Sequence, residues 1–396
     1  MNWVWVVGGG ILQVPVIKEF QQRGLEVLVT DRDIHALGCQ VADTAIELDT
    51  YDIAGHLDLA RKYPVMPKTV LTDAADVGPT VSALAEYYGT PACNYVGACN
   101  ARDKAKVRVL LDQPHPVYVA GNTQEDAYEL WSRWVQRAIN YDVPARPCII
   151  KAADNCASRG MMRVDMWDQF DKAIDVARLA NHLSDNVVVE EQLNGWEVAV
   201  DFLVLGDEVL FVNGAKRVFG DFGIEVGHTN PWVAPFEVCK IANDAAKKLG
   251  VNSGPFKLDL LYDQNYGWCV LECATRWSGG FDHTHSAVLA TGRNLVKVLA
   301  DYALGCQVNR ADLEWQKQGF AAVYAPVFEA GEITGWDTTE AESMPGVSEI
   351  VVRETKRVSP LKTCADRPIF VIAAGDTEQA AWQNAVNAGE KVRLVR

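Results

Sequence analysis

Among its ten cysteines the 396-residue chain has no CxxC pair, and so it lacks the spacing that zinc sites and redox dithiols use. The cysteines stand singly, several in apolar strand-like contexts (Cys148, Cys269, Cys273). That pattern fits buried free thiols in a reducing compartment and predicts a cytoplasmic protein. Long hydrophobic runs are also missing. WVWVVGGGIL, near the start, is too short to span a bilayer and has no basic flank or cleavage-like stretch behind it. Positive charge is scarce: 37 Lys and Arg stand against 52 Asp and Glu, a net charge of −15, so the clustered cations of a nucleic-acid surface are not expected. No low-complexity tract interrupts a composition that is 49% hydrophobic, so the whole chain should fold. Its length suggests two or three domains of roughly 100 to 200 residues each. A disulfide framework, a zinc module, a membrane span and a nucleic-acid partner are thereby disfavoured, while a homodimer stays open.

A missing glycine is as informative. WVWVVG at 3–8 reads as a buried strand, 11–23 as a helix and LEVLVTD as a second strand ending at Asp31, the opening of a parallel α/β unit. The turn Gly8–Gly10 and Asp31 are parts of a dinucleotide fingerprint, but Gln13 stands where the third glycine belongs. A tight turn against a neighbouring strand or a small substrate explains the glycines better, which puts Gly10 on the substrate side. TVLTDAAD at 69–76 reads as a further strand and SALAEYYG as a helix. From about 101 the texture changes. A helix near Arg102 carries Lys104, the two Pro of QPHPVYV mark a loop, a strand spans 148–152, a helix spans 167–183, and VVVEEQL is a strand. Hairpin-like strands over 197–219, the helix EVCKIANDAAKKLG and two strands bearing Asp259 and Glu272 follow. After 305 the strands FAAVYAPVF and EIVVRE and the helix TEQAAWQNAVNAG form a small α/β lobe.

The chemistry lies in an ordered set of groups. CIIKAADNCASRGMM places Lys151 after an apolar strand, where a lysine is costly unless paired or aimed at an anion. Ser158 and Gly160 in the following loop supply approachable backbone N–H groups of the kind that cradle phosphate. VVVEEQLNGWEVAVD then gives an acidic hinge, whose alternation sends Glu190 and Glu191 to opposite faces. Asp259 and Glu272 sit on successive strands and can meet at one magnesium ion. Lys257 shares a face with Asp259 and is equally readable as its salt-bridge partner or as a phosphate contact. A cation for phosphates, a wall for adenine and carboxylates for metal are what ATP-dependent phosphoryl transfer needs.

In that order the residues resemble the ATP-grasp superfamily, in particular carboxylate–amine ligases related to carbamoyl phosphate synthetase and the purine-pathway ligases. The resemblance covers nearly the whole chain. It implies an α/β protein, α+β in its central region: a parallel α/β pre-ATP-grasp domain (1–100), an ATP-grasp domain (101–305) and a C-terminal α/β lobe (306–396). It further implies Lys104 near the α-phosphate, Lys151, Ser158, Arg159 and Gly160 on the β and γ phosphates, and Glu190 or Glu191 with the Leu193 backbone at adenine. Glu191 is the better candidate of the two acids. Glu197 would take the ribose, Lys216 and His228 the region of the γ-phosphate, and Arg276 the transferred phosphate or the substrate carboxylate. Asp76, Ser278, Gly279 and Gly280 would line the acceptor side. Asp259 and Glu272 would hold magnesium, with manganese as its substitute. The family's second strand commonly reads E-x-N-x-R, whereas here Ala274 replaces the Asn, which leaves the number of metal ions open. Asp282, His283 and His285 resemble a metal box but suit a substrate-side loop equally well.

The implied reaction is ligation of a small-molecule carboxylate to an amine through an acyl phosphate, with release of ADP and phosphate. A purine-type carboxylating or formyl-transferring ligase is an alternative, although no distinctive basic cluster for a ribose phosphate is visible. A non-catalytic ATP-binding regulator is another, although both metal acids are present. A dehydrogenase is disfavoured by Gln13.

Overall fold

The computed structural model describes residues 2–63, 65–112, 114–116, 118–121, 129, 132, 147–220 and 223–396. The strand Trp3–Val7 is buried at every position, as a parallel strand covered on both faces must be. It lies inside a four-stranded parallel sheet ordered Thr44–Glu47, Glu26–Asp31, Trp3–Val7, Val70–Leu71. The helix Val14–Gln22 turns Val16, Ile17 and Phe20 onto Val4, Val6, Val27 and Val29. The strand expected over 69–76 shrinks to Val70–Leu71. Beyond it the chain turns away, with Thr72 Oγ1 donating to the Val7 carbonyl at 2.7 Å and Ala74 at φ 57°.

The helix expected near Arg102 is two helices, Tyr95–Arg102 and Lys104–Leu110. The break falls at Asp103, whose carboxylate caps the second helix by accepting from the Ala105 and Lys106 N–H groups at 2.9 and 3.2 Å. The expected helix over 167–183 is confined to Phe170–Ala180 after a short 3-10 turn. It packs Phe170, Ala173, Ile174 and Ala177 on a small antiparallel sheet ordered Tyr118–Gly121, Val187–Glu191, Cys148–Ala152, Met161–Val164.

The largest element is an eight-stranded sheet ordered Gly267–Ala274, Ser253–Asp263, Gly195–Leu205, Glu208–Phe219, Glu225–Asn230, Phe320–Tyr324, Ile369–Gly375, Val347–Val352. Every neighbouring pair in it is antiparallel. The helix Phe236–Leu249 buries Val238, Ala242, Ala245, Ala246 and Leu249, the stripe of a 3.6-residue period, against its central strands. The segment after 305, expected as a lobe with α/β character, builds its strands onto this sheet. Phe320–Tyr324 pairs directly with Glu225–Asn230, and the helix Glu378–Gly389 covers the extension through Ala381, Ala385 and Ala388. Among the described residues no helix is long and apolar enough to cross a membrane.

Candidate active site

A cavity of about 360 Å³ lies between the small sheet and the eight-stranded sheet. Lys104 and Lys151 stand on its wall, each held by an acid. Lys104 Nζ donates to the Asn155 carbonyl and lies 3.5 Å from Glu272. Lys151 Nζ is 2.5 Å from Glu190, which Arg108 holds from its other oxygen at 2.6 Å. Burial lowers the Lys151 pKa, Glu190 acts to raise it, and Arg108 beside it lowers it further. Of the two hinge acids it is therefore Glu190 that turns toward the cavity's lysine. Glu191 is on the opposite face of the strand, and the Leu193 side chain packs with Leu261 and Cys269. Arg108, fully buried, carried no signal in the sequence beyond its helix.

The loop after Ala152 closes one side of the cavity with Ser158 and Arg159 on its wall and Gly160 at its end. Ala157, Ser158 and Gly160 adopt φ of 59°, 62° and 69°, left-handed conformations that also occur in anion-cradling turns, while the Arg159 N–H donates to the Cys156 carbonyl at 3.2 Å. The loop's base is fixed: Asp154 accepts from the N–H groups of His182 and Ser184 at 2.8 and 3.0 Å, and Asn155 Nδ2 donates to the Ala180 carbonyl at 2.5 Å.

The floor is an ion network that the sequence only half disclosed. Lys216 is not part of it. Period two along Glu208–Phe219 turns Lys216 away, where it meets Glu378 at 2.8 Å, and brings Arg217 into the cavity instead. Arg217 contacts Glu197 at 2.9 Å, Glu225 at 3.0 Å and Asp259 at 3.7 Å. Burial would raise the Glu225 pKa, but Arg217 holds the carboxyl well below its usual range. Burial raises Glu197 to about 7 despite Arg217. His228 lines the same wall, with Nε2 3.1 Å from Ser286 Oγ and Nδ1 3.6 Å from Glu225. The Ser286 hydroxyl donates to Asn230 Oδ1 at 2.6 Å, which leaves His228 Nε2 as the donor in their contact.

Asp259 and Glu272 are direct cross-strand partners. Lys257 Nζ contacts Asp259 Oδ2 at 2.8 Å, so it is a salt-bridge partner that also lines the cavity. Asp259 Oδ1 is buried without any hydrogen-bond partner. An orphaned carboxylate oxygen next to a second carboxylate is a donor set that a hard divalent cation fits. Ala274, opposite Lys257 in the register, adds no ligand. Arg276 is buried at the cavity edge with Nε unpartnered. The next segment, Ser278 to Gly280, also lines the cavity. It is held from below by Asp201, which accepts from both the Ser278 N–H and hydroxyl at 2.8 Å. Asp282 lines the wall and accepts from Asn213 at 2.8 Å. His283 points away, 2.9 Å from Asp73, and His285 lies 3.6 Å from Glu349, so the three do not converge. Among the described residues no cluster of three or more such side chains could by itself hold a metal ion.

Gly10 and Asp76 do not reach the wall, where Leu12 and Ala74 stand instead. Asp76 is buried 3.7 Å from Arg102. The glycine turn is closed on itself: the Gly9 N–H donates to Asp31 Oδ2 at 2.7 Å, Asp31 Oδ1 accepts from the Asp33 N–H at 2.9 Å, and the Gly38 N–H donates to the Gly9 carbonyl at 2.6 Å. Gln13 donates to the Asp73 carbonyl. The acid that a dinucleotide ribose would need is already bonded.

No protein-family model matches the chain, and no curated protein matches it by sequence. Solved structures match it along its whole length. L-amino acid ligase from Bacillus licheniformis superposes with a TM-score of 0.78 at 18% identity, over 100% of this chain and 98% of that one. Phosphoribosylglycinamide synthetase from Anaerococcus prevotii gives 0.73 at 14%, over 100% and 99%. Carboxyaminoimidazole ribonucleotide synthase from Aspergillus clavatus, complexed with ATP, gives 0.74 at 17%, over 99% of each. At such identities the likeness is one of fold, and the chain has the ATP-grasp fold that its residues led one to expect.

Proposed function

We propose that the protein is an ATP-dependent ligase that joins a carboxylate to an amine through an acyl phosphate. The observation that carries this proposal is the single cavity in which Lys104, Lys151, Arg276 and the loop bearing Ser158 and Arg159 face the paired carboxylates Asp259 and Glu272. Similarity in fold to an L-amino acid ligase and to a synthetase complexed with ATP supports it. Glu190, Glu191 and Leu193 form the hinge for adenine, and Glu197 is the ribose acceptor. Lys104, Lys151 and the loop N–H groups bind the phosphates. Magnesium held by Asp259 and Glu272 would supply charge neutralisation on the phosphate oxygens when bound.

The substrate carboxylate attacks the γ-phosphorus, the bond to the β-phosphate oxygen breaks, and ADP leaves. Lys151 and Arg276 offset the charge that develops on the transferred group. The Ser278–Gly280 segment, fixed by Asp201, orients the acceptor, and an amine then displaces phosphate to give an amide. His228, with Nε2–H committed to Ser286, presents Nδ1 toward Glu225 and takes a positioning role on that wall. Ten free thiols fit the reducing, cytoplasmic setting expected from the sequence.

The test is ADP and phosphate release in the presence of pools of amino acids and other carboxylates, with and without amines, followed by mass analysis of the product. Release that requires both a carboxylate and an amine, with an amide product, is the expected result. Tight nicotinamide binding with no response to an ATP analogue would overturn the assignment.

A further inference from the structure

The helix Lys104–Leu110 sets two cations one turn apart, Lys104 and Arg108, where an α-helix places them on one face. Of the two, Lys104 reaches the cavity wall. Arg108 is 1% exposed and lies outside the lining. Its Nε donates to Glu190 Oε1 at 2.6 Å, and its Nη2 donates to the Leu271 carbonyl at 2.8 Å. One guanidinium thus joins the strand Val187–Glu191 to the strand Gly267–Ala274, at the residue before Glu272.

Glu190 is held from its other oxygen by Lys151, at 2.5 Å. Two buried cations therefore share one carboxylate. Among the described residues neither of them makes a second ion pair, so the trio carries one positive charge in excess. The balance differs elsewhere on the wall, where Lys104 meets Glu272 one to one and where Lys257 and Arg217 stand among Asp259, Glu197 and Glu225. Of the three members of the trio, Lys151 is the one that lines the cavity, so the excess charge is presented there.

Burial would raise the Glu190 pKa, but Arg108 and then Lys151 hold the carboxyl below its usual range. A buried anion with Lys151 as its sole partner would restrain that lysine, because drawing the ammonium toward a phosphate would leave the carboxylate unpaired. Arg108 removes the conflict. Resting on the ligase proposal above, we infer that Arg108 is a positioning residue for the nucleotide: by neutralising Glu190 it frees the Lys151 charge for the β and γ phosphates. With Arg108 in place, Lys151 exchanges Glu190 for phosphate oxygens and no buried carboxylate is left without a partner.

Calorimetric titration tests this without turnover. The probes are a non-hydrolysable ATP analogue with magnesium, and adenosine, titrated by its displacement of the analogue. The ratio of the adenosine to the analogue dissociation constant reads the phosphate contribution and cancels changes at the adenine wall. In Arg108→Gln, which keeps a donor toward Glu190, the analogue should bind about tenfold or more weaker, the size of a charged hydrogen-bonded contact, while adenosine stays within about twofold. The double variant Arg108→Gln with Glu190→Gln should recover most of the ratio, because Lys151 is then no longer restrained by an anion. Arg108→Lys, which preserves the charge, should retain most of it as well.

An unchanged ratio in Arg108→Gln would overturn the inference. So would an equal loss for both probes, which would make Arg108 a brace of the adenine wall, and so would a double variant no better than Arg108→Gln alone. Glu190→Gln by itself supplies an arm that does not depend on the folding of the Arg108 variants. With the acid neutral the ratio should hold or rise, and a fall of about tenfold, the loss of a charged contact, would show that Glu190 aims Lys151 rather than restrains it and would sink the inference. Failure of the ligase proposal is seen elsewhere, as absence of any carboxylate-dependent ADP release, and leaves these titrations interpretable.

Discussion

The glycine turn at Gly8–Gly10 and the central cavity present the same kinds of groups, backbone N–H donors and carboxylates at strand ends, and the chain treats them in opposite ways. At the turn the polar groups are bonded to one another: Gly9 to Asp31, Asp31 to Asp33, Gly38 to Gly9. In the cavity they are left open, with Asp259 Oδ1 and Arg276 Nε unpartnered and Arg353 and Arg367 on carbonyls alone. Buried polar groups are nearly always satisfied, so unpartnered ones that also line a cavity mark where a ligand can bind. A motif therefore signals a site only if its donors and acceptors remain available.

The sharpest way to break this contrast is at the carboxylates proposed to hold magnesium. Glu272→Ala should reduce turnover by about 10² or more, the scale set by loss of a preorganised charge partner, while part of the nucleotide affinity remains. Lys151→Ala should lower both, because it removes the proposed phosphate contact and leaves Glu190 with Arg108 alone. Coupled ADP-release assays together with calorimetry separate the two effects. Near-normal ADP release by Glu272→Ala would make Glu272 an ordinary cavity acid.

Next in size is the clamp between Asp73, beyond the parallel sheet, and His283, after the Ser278–Gly280 segment. Burial would lower the His283 pKa, but Asp73, with Asp201 and Asp282, raises it to about 9. A histidine whose folded pKa is raised contributes stability that is fully present below the unfolded value of 6.5 and is lost as pH rises through about 9. The melting temperature should accordingly fall across that window. His283→Gln should flatten the fall and cost about 3–5 kcal/mol at the acid end, since Asp73 is left buried and unpaired. Burial raises Asp201 and Glu197 to about 7 each, so the upper part of the window is diagnostic. An unchanged slope in the variant would remove the clamp.

A smaller effect sharpens the comparison from the other side. A Cβ on Gly9 would sit 2.5 Å from Cys39 Sγ and 2.9 Å from Val29 Cγ1. Gly9→Ala should therefore destabilise by about 1–3 kcal/mol through overpacking, with nucleotide affinity unchanged. Weakened ATP binding in the folded variant would mean that the turn takes part in the nucleotide site.

The order of Lys151, Glu190 and the two carboxylates was legible because each lies on a strand, where period-two alternation and apolar flanks mark it. Asp259 opposite Glu272 followed from two strands and a turn. Faces were harder to read. In Lys216-Arg217 and in Glu190-Glu191 like residues are adjacent, and one step of register decides which enters the cavity; only the pairing of Glu208–Phe219 with its neighbours, and the grip of Arg108 on Glu190, settle it. Two further cavity-wall cations were out of reach for another reason. Arg353 and Arg367 come from different segments of the C-terminal region and lie 5.2 and 5.1 Å from the Phe370 ring, a placement with no spacing signature. The merger of the C-terminal strands with the central sheet likewise depends on long-range pairing of Phe320–Tyr324 with Glu225–Asn230.

The smallest expected effect concerns the loop over the cavity, whose two ends are held unequally. Asp154 and Asn155 tie its base to the chain around 180–184 by several hydrogen bonds. Its tip carries Ala157 and Ser158 in left-handed conformations, each costing about 1 kcal/mol in a residue with a Cβ, and the Ala157 carbonyl accepts from the Cys364 N–H at 3.2 Å. The tip should therefore open at lower free energy than the base, and phosphates that accept its N–H groups should close it. Hydrogen exchange at residues 157–160 should slow when magnesium and a non-hydrolysable ATP analogue are added, with little change at residues 154 and 155. In the proposed reaction, closure would keep water from an acyl phosphate that hydrolyses readily. Arg159→Ala should consequently raise ATP hydrolysis relative to product formation, modestly and without loss of adenine contacts. Equal exchange with and without nucleotide, together with an unchanged ratio of hydrolysis to ligation in Arg159→Ala, would leave the segment as a fixed wall of the cavity.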